Sequence, residues 1–291
     1  MDQMNGGELG RLAVIGGGAL GLSMVRGLLE ARVFGPDEIT VADPDPARRA
    51  AAAEIPGLSV FSDNREAAGQ ADTVLLAVKP NVVLGVLAEI ASVLSRDKLV
   101  ISVAAGVELE MLEAGVPQGT PVIRAMPNIA NQVRESATAI SAGRWAGASQ
   151  IAVAEAIFRA VGRVVRLPEA LLHAVTGLSG SGPAYALLVL EALADGGVTA
   201  GLPRQVAEEL AAQTLLGAAR LVLETGQPPA VLRTMVMSPA GTTAAGLQVL
   251  ESRGVRGAVW EAVTQAARRS QELAQSARAA AFRPSTRPEN K

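Results

Sequence analysis

Between Leu12 and Leu167 the chain alternates short, β-branched apolar runs with segments whose apolar residues recur at helical spacing. The runs predict strands at Leu12–Ile15, Ile39–Ala42, Thr73–Val78, Leu99–Val103, Val122–Ala125, Ala137–Ser141 and Val164–Leu167. Between them the spacing predicts helices over Gly18–Arg32, Pro46–Glu54, Asn81–Leu94 and Gly147–Val161. Alternation of this kind predicts an α/β domain, a mostly parallel sheet with helices on both faces.

Beyond Glu169 the strand pattern stops. Helical spacing continues over Pro183–Ala194, Pro203–Thr225, Pro229–Val236, Thr242–Glu251 and Val255 to about Ala281, the first two with proline at a first-turn position. Two domains are therefore expected, the sheet domain over 8–168 and an all-α domain over 169–281, with flexible tails at 1–7 and 282–291. Several of these helices are apolar on more than one face. Ala184, Tyr185, Leu187, Leu188, Val189 and Leu190 leave almost no polar stripe, and Leu215, Leu216, Ala218 and Ala219 behave similarly. A region of this size does not easily cover such helices, so a partner surface is expected, most simply a second copy in a homodimer.

Composition narrows the picture. At 49% hydrophobic and 19% charged, the chain buries a substantial core, but only 2% is aromatic, so aliphatic side chains and alanine must fill it. With 26 basic against 28 acidic residues, nothing argues for nucleic acid or an anionic membrane surface. Absence of cysteine excludes thiolate nucleophiles, disulfides and cysteine-type zinc sites, and no metal is expected. The longest uncharged run, Ala170 to Leu190, is broken by Gly, Ser and Pro, which suits a spanning helix poorly. No apolar signal segment follows the polar start, and a cytoplasmic protein is the expectation.

Gly16-Gly17-Gly18-Ala19-Leu20-Gly21 lies directly between a strand and a helix and fits G-x-G-x-x-G. Gly16 permits the tight turn, Gly18 lets the backbone approach a phosphate, and Gly21 lets the helix lie close to the sheet. The helix start adds partial positive charge. Such a turn alone is weakly diagnostic, but a second strand ends at Asp43, 22 residues past Gly21, where an acidic side chain meets a ribose 2′-OH. Asp43 favours NADH, whereas Arg48 and Arg49 just beyond favour a 2′-phosphate and NADPH, so both coenzymes stay open. Further strand-end candidates are Ala77-Val78-Lys79-Pro80, Asn64, and Ala104-Ala105. A purely structural strand end has the same appearance.

The second candidate turn is Ser238-Pro239-Ala240-Gly241-Thr242-Thr243, opening the helical run Ala244–Leu250. Helix-opening N–H groups hold a carboxylate without a charged side chain. One threonine serves as N-cap in the bland reading; two leave the other to face a ligand. Reduction of a ketone calls for a strong proton donor, and the sole histidine, His173, reads as a packing or surface residue. An imine demands less, because its nitrogen arrives already protonated and a neutral hydroxyl need only orient it.

The segment Ala174 to Tyr185 (AVTGLSGSGPAY), followed by Ala192 to Gly197, closely resembles the pyrroline-5-carboxylate reductase family. So do Arg124-Ala125-Met126-Pro127-Asn128, Ala77 to Pro80, and the Ser238 to Thr243 turn leading into Leu247 to Glu251. The resemblance runs from about Leu12 to Glu272. It implies reduction of 1-pyrroline-5-carboxylate to L-proline with NADPH or NADH. It also implies a Rossmann domain followed by a helical domain that interlocks in a dimer, with a decamer of five dimers as the larger assembly. By position, Thr243 resembles the threonine that hydrogen-bonds the substrate nitrogen, and Gly241 and Thr242 the backbone carboxylate cradle. Glu169 resembles a substrate-side acidic position, with Ser181 and Gly182 lining the pocket. Departures are Ala240 where glycine is common, Ile129 for a frequent threonine, the polar pair Asn131-Gln132, and a roomy loop Val33–Glu38. Competing readings are another cyclic-imine reductase, a hydroxyacid reductase with a catalytic lysine, or a sensor that binds NAD(P)H without turnover.

Overall fold

A computed structural model describes residues 9–281, so the expected tails, 1–7 and 282–291, lie outside the described residues. The chain divides into two compact units, one formed by Met1–Gly180 with Gln265–Lys291 and the other by Ser181–Thr264. The second unit is thus narrower than the helical domain expected over 169–281.

The first unit is built on eight strands: β1 (Leu12–Ile15), β2 (Ile39–Ala42), β3 (Ser59–Phe61), β4 (Thr73–Leu76), β5 (Leu99–Ser102), β6 (Val122–Met126), β7 (Ser136–Ala142) and β8 (Gly162–Arg166). They lie in the order β3-β2-β1-β4-β5-β6-β7-β8. All neighbours are parallel except β6 and β7, which are antiparallel. Strands β1, β2, β4 and β5 are buried along their whole length. That explains their unbroken apolar runs: each face meets a helical layer.

Side-chain alternation divides the core between those faces. Leu12 and Val14 of β1, with Leu75 and Ile101, pack against α1 (Ala19–Glu30) and α6 (Ala148–Arg159). Ala13 and Ile15, with Val74, Leu76 and Val100, face α3 (Asn64–Gly69), α4 (Val83–Ile90) and α5 (Leu109–Ala114). Each fully buried Leu or Ile here contributes roughly 1.5–3 kcal/mol relative to exposure. The remaining short helices of this unit are α2 (Pro46–Ala53) and α7 (Leu172–Val175), the latter running into a π turn at Thr176–Gly180.

The second unit holds α8 (Gly182–Thr199), α9 (Arg204–Thr225), α10 (Pro229–Met235) and α11 (Thr242–Ser252), and the long α12 (Val255–Ala281) begins in it. Its own core is small: Ala194 of α8 meets Ala207 and Ala211 of α9. Around it Leu187, Leu188, Met235 and Trp260 are 63%, 66%, 76% and 71% exposed. Apolar surface on this scale marks an interaction face. None of the described helices is long and apolar enough to cross a membrane.

Candidate functional site

One candidate site stands at the C-terminal edge of the parallel strands, where β1 lies between β2 and β4. Gly16 takes φ 111° and its N–H donates to Ala42 O at 2.8 Å. A Cβ at Gly16 would stand 2.6 Å from Ala77 O, and one at Gly21 only 1.9 Å from Gly16 O. Both glycines are therefore required by close backbone packing. Gly18 differs: nothing lies within 4 Å of a Cβ built there. It precedes α1 without any side-chain cap, and Ala19 after it is exposed. Open space before an uncapped helix start fits a dinucleotide diphosphate, the group this turn type accepts.

Asp43 closes the β2 end. Its side chain is 3% exposed and accepts from Gly17 N at 2.9 Å, Asp45 N at 2.9 Å and Arg48 Nη1 at 3.3 Å. Arg49 Nη1 donates to the carbonyls of Asp43 and Pro44. Asp43 thus braces the glycine turn from behind, with Arg48 half-exposed beside it. Asn64 opens α3, buried, its Nδ2 on Glu89 Oε2 at 2.8 Å and its Oδ1 without a partner among the described residues. The expected strand Thr73–Val78 ends at Leu76, because Pro80 starts a short turn. Ala77 and Val78 are half-buried beside Gly16, while Lys79 and Pro80 are exposed. After β5, Ala104 is buried with its N–H on Ser102 Oγ, and Ala105 is exposed at the loop tip.

A second candidate site lies in the helical unit. Neither threonine caps α11. Gly241 is the N-cap, extended at φ −77° and ψ 168°, with no side-chain hydrogen bond. Its N–H turns back to Ser238 O at 3.0 Å, and a Cβ on it would strike Ser238 Oγ at 2.2 Å. First-turn N–H groups at Thr242 and Thr243 therefore have no capping side chain. Thr243 is half-buried and Thr242 exposed. Ala240 occupies the left-handed region at φ 55°, which accounts for glycine being the easier residue there.

Ser181 and Gly182 stand at the start of α8, directly after the π turn. That turn is held by Thr176 Oγ1 on Leu172 O, Ser179 Oγ on Val175 O, and Asn128 Nδ2 on Ser179 O. Glu169 has a different setting from a free acid: its Oε1 accepts from Leu109 N at 2.7 Å and from Arg124 Nη1 at 2.8 Å, with Arg124 3% exposed. His173 is buried on Ser270, not a surface residue. Asn131, out of place by resemblance, is buried and donates to Ser23 Oγ at 2.9 Å, tying its turn to α1. The short helix α3 carries a signal that pattern reading missed: Asp63 caps it by accepting from Arg65 N, with Glu66 three residues on.

Comparison with known proteins agrees with this arrangement. Residues 169–273 match the family model described as pyrroline-5-carboxylate reductase dimerisation, and 11–106 match that of NADP oxidoreductase, coenzyme F420-dependent. The pyrroline-5-carboxylate reductase of a Synechocystis species is 49% identical over 90% of this chain and 98% of its own length. A pyrroline-5-carboxylate reductase structure from Coxiella burnetii superposes with a TM-score of 0.85 at 38% identity, covering 91% of this chain and 98% of the other. The Plasmodium falciparum enzyme, crystallised with NADP bound, gives 0.81 at 29% identity over 91% and 98%. With identity of this order over nearly the full length of both chains, the chain belongs to the pyrroline-5-carboxylate reductase family.

Proposed function

We infer that this chain reduces 1-pyrroline-5-carboxylate to L-proline with NADPH or NADH, the last step of proline biosynthesis. When bound, the coenzyme supplies the hydride that adds to the imine carbon. The chain's residues bind and orient. Gly16, Gly18, Ala19, Leu20 and Gly21 receive the diphosphate, with Asp43, Asn64, Ala77 to Pro80 and Ala104-Ala105 lining the remaining strand ends. Gly241, whose own N–H is spent on Ser238 O, shapes the cradle as N-cap, and Thr242 offers its main-chain N–H to the carboxylate, with Glu169, Ser181 and Gly182 as further substrate-side positions. Thr243 Oγ1 hydrogen-bonds the ring nitrogen, which carries its own proton.

The observation that carries this reading is the uncapped start of α11 combined with the fate of the strong proton donors. Lys98 donates to the carbonyls of Ala68, Gly69 and Ala71, His173 is buried against Ser270, and the helical unit contains no lysine. A hydroxyacid reductase using a lysine in that unit is thereby disfavoured. The chain acts as a homo-oligomer, in keeping with its apolar helical unit. The finer proposal is a homodimer, with five dimers in a decamer, working in the cytoplasm. Steady-state oxidation of NADPH and NADH with 1-pyrroline-5-carboxylate tests the activity. Thr243→Ala lowers kcat/KM by ~1–3 kcal/mol, one buried hydrogen bond, while coenzyme affinity holds. An unaltered rate removes Thr243 from the mechanism and favours a coenzyme-binding protein without this turnover.

A further inference from the structure

His173 is the chain's only histidine, and the reaction proposed above gives it no task. It is nevertheless 9% exposed, held among the buried residues of the first unit. Its Nδ1 lies 2.9 Å from Ser270 Oγ on α12, a buried pair. Its Nε2 faces Glu108 Oε1 at 3.8 Å, too far for a direct hydrogen bond. A ring protonated on Nε2 suits both neighbours, directing its N–H toward the carboxylate and accepting the serine O–H at Nδ1.

Glu108 ends the loop that leaves β5, and most of this loop is buried. Val103, Ala104, Gly106 and Val107 are buried, leaving Ala105 exposed at the tip. Gly106, at φ 77°, turns against the backbone of α12, where a Cβ would sit 3.8 Å from Ala274 N; Ala274 itself is fully buried. The next residue, Leu109, gives its N–H to Glu169, four residues before His173. One short segment, Glu169 to His173, thus meets the α5 end of the β5–α5 connection at two adjacent residues, and α12 backs the loop at Gly106. In a doubly wound sheet of this order the adenosine end of a dinucleotide lies at the β2 side, so the nicotinamide end falls on the β4–β5 side of the same edge.

We propose that His173 is a positioning residue: joined to Ser270 and facing Glu108, it clasps α12 to the β5–α5 loop and so sets where Ala105 stands against the nicotinamide half of the coenzyme. This rests on the reading of the strand-end edge as a coenzyme site. It does not require the imino acid to be the substrate.

Ser270→Ala tests the clasp with least damage, because alanine suits a helix and only a hydroxyl is lost. The expected result is a three- to tenfold rise in the coenzyme Kd, read by direct titration with NADPH and NADH, the order of one net hydrogen bond. A comparable fall in kcat accompanies it, while KM for the imino acid stays within about twofold. His173→Asn, whose amide reaches the place of Nδ1, stays closer to the parent in coenzyme Kd than His173→Leu. Superimposable coenzyme titrations for Ser270→Ala and parent would overturn the proposal, as would Asn and Leu variants that bind coenzyme equally. A parent chain that binds coenzyme but leaves 1-pyrroline-5-carboxylate unreduced sinks the assigned reaction, and the titrations still judge the clasp.

Discussion

Replacing Gly18 by alanine distinguishes a phosphate-binding turn from a merely tight one. Gly18 sits at φ −75° and ψ −175°, extended backbone open to any residue. A Cβ there meets no heavy atom within 4 Å, so the folded chain accommodates the methyl. Restricting the unfolded chain then leaves stability unchanged or raised by up to about 1 kcal/mol. Coenzyme binding responds in the opposite direction. The methyl takes the space through which a diphosphate approaches the N–H groups opening α1. Each charge-assisted hydrogen bond is worth about 1.5–3 kcal/mol, so stretching one raises Kd roughly 10- to 100-fold. Gly21→Ala is the contrasting control. Its Cβ would lie 1.9 Å from a backbone oxygen, and α1 must retreat by about 1.5 Å to restore ordinary contact. Overpacking of that kind costs about 1–3 kcal/mol or more and lowers Tm. Melting curves without coenzyme, paired with fluorescence titrations of NADPH and NADH, separate the two effects. Parent-like coenzyme affinity in Gly18→Ala would refute the phosphate assignment, and a lowered Tm would refute the claim of open space.

Two further perturbations bear on stability. Glu155 of α6 is buried, with both carboxylate oxygens bonded to Arg166 of β8 and one lying 2.9 Å from Arg159. Glu155→Gln weakens this tie and costs about 1–3 kcal/mol, read as a Tm fall of roughly 3–8 °C. The Arg166 hydrogen bond, foremost, holds the Glu155 carboxyl below the usual carboxylate range against the opposing effect of burial. Its contribution is therefore complete above the ordinary glutamate range and is lost as pH falls through the lowered value. Urea melts at descending pH should show parent and Glu155→Gln converging in acid, and a gap that widens there would contradict the assignment. Ala240→Gly removes a left-handed alanine at φ 55° and stabilises by about 1 kcal/mol, checked by thermal melts with activity retained.

The parts of this molecule legible in sequence are those whose cause is local. Leu12–Ile15 followed by Gly16 to Gly21 announces strand, turn and helix because each residue's role depends on immediate neighbours. Ser59–Phe61 gave no such signal: three residues, partly exposed at the sheet edge, show neither a buried run nor a clear alternation. The six-residue helices α3 and α5 are too short for periodicity to speak. The antiparallel course of β7 was equally hidden, since the period of a strand is the same in either direction. At α11 the sequence left two threonines competing for the cap, and only backbone geometry gave the position to Gly241. Glu169 and His173 show the deeper limit. Their partners Arg124 and Ser270 lie 45 and 97 residues away, and nothing near either residue announces the pairing. Turn chemistry is thus written beside the residues that perform it, whereas the contacts that hold a turn in place are written wherever the fold returns the chain. The Thr243 hydroxyl belongs to the first kind and the His173 clasp to the second, so reading one from sequence gives no access to the other.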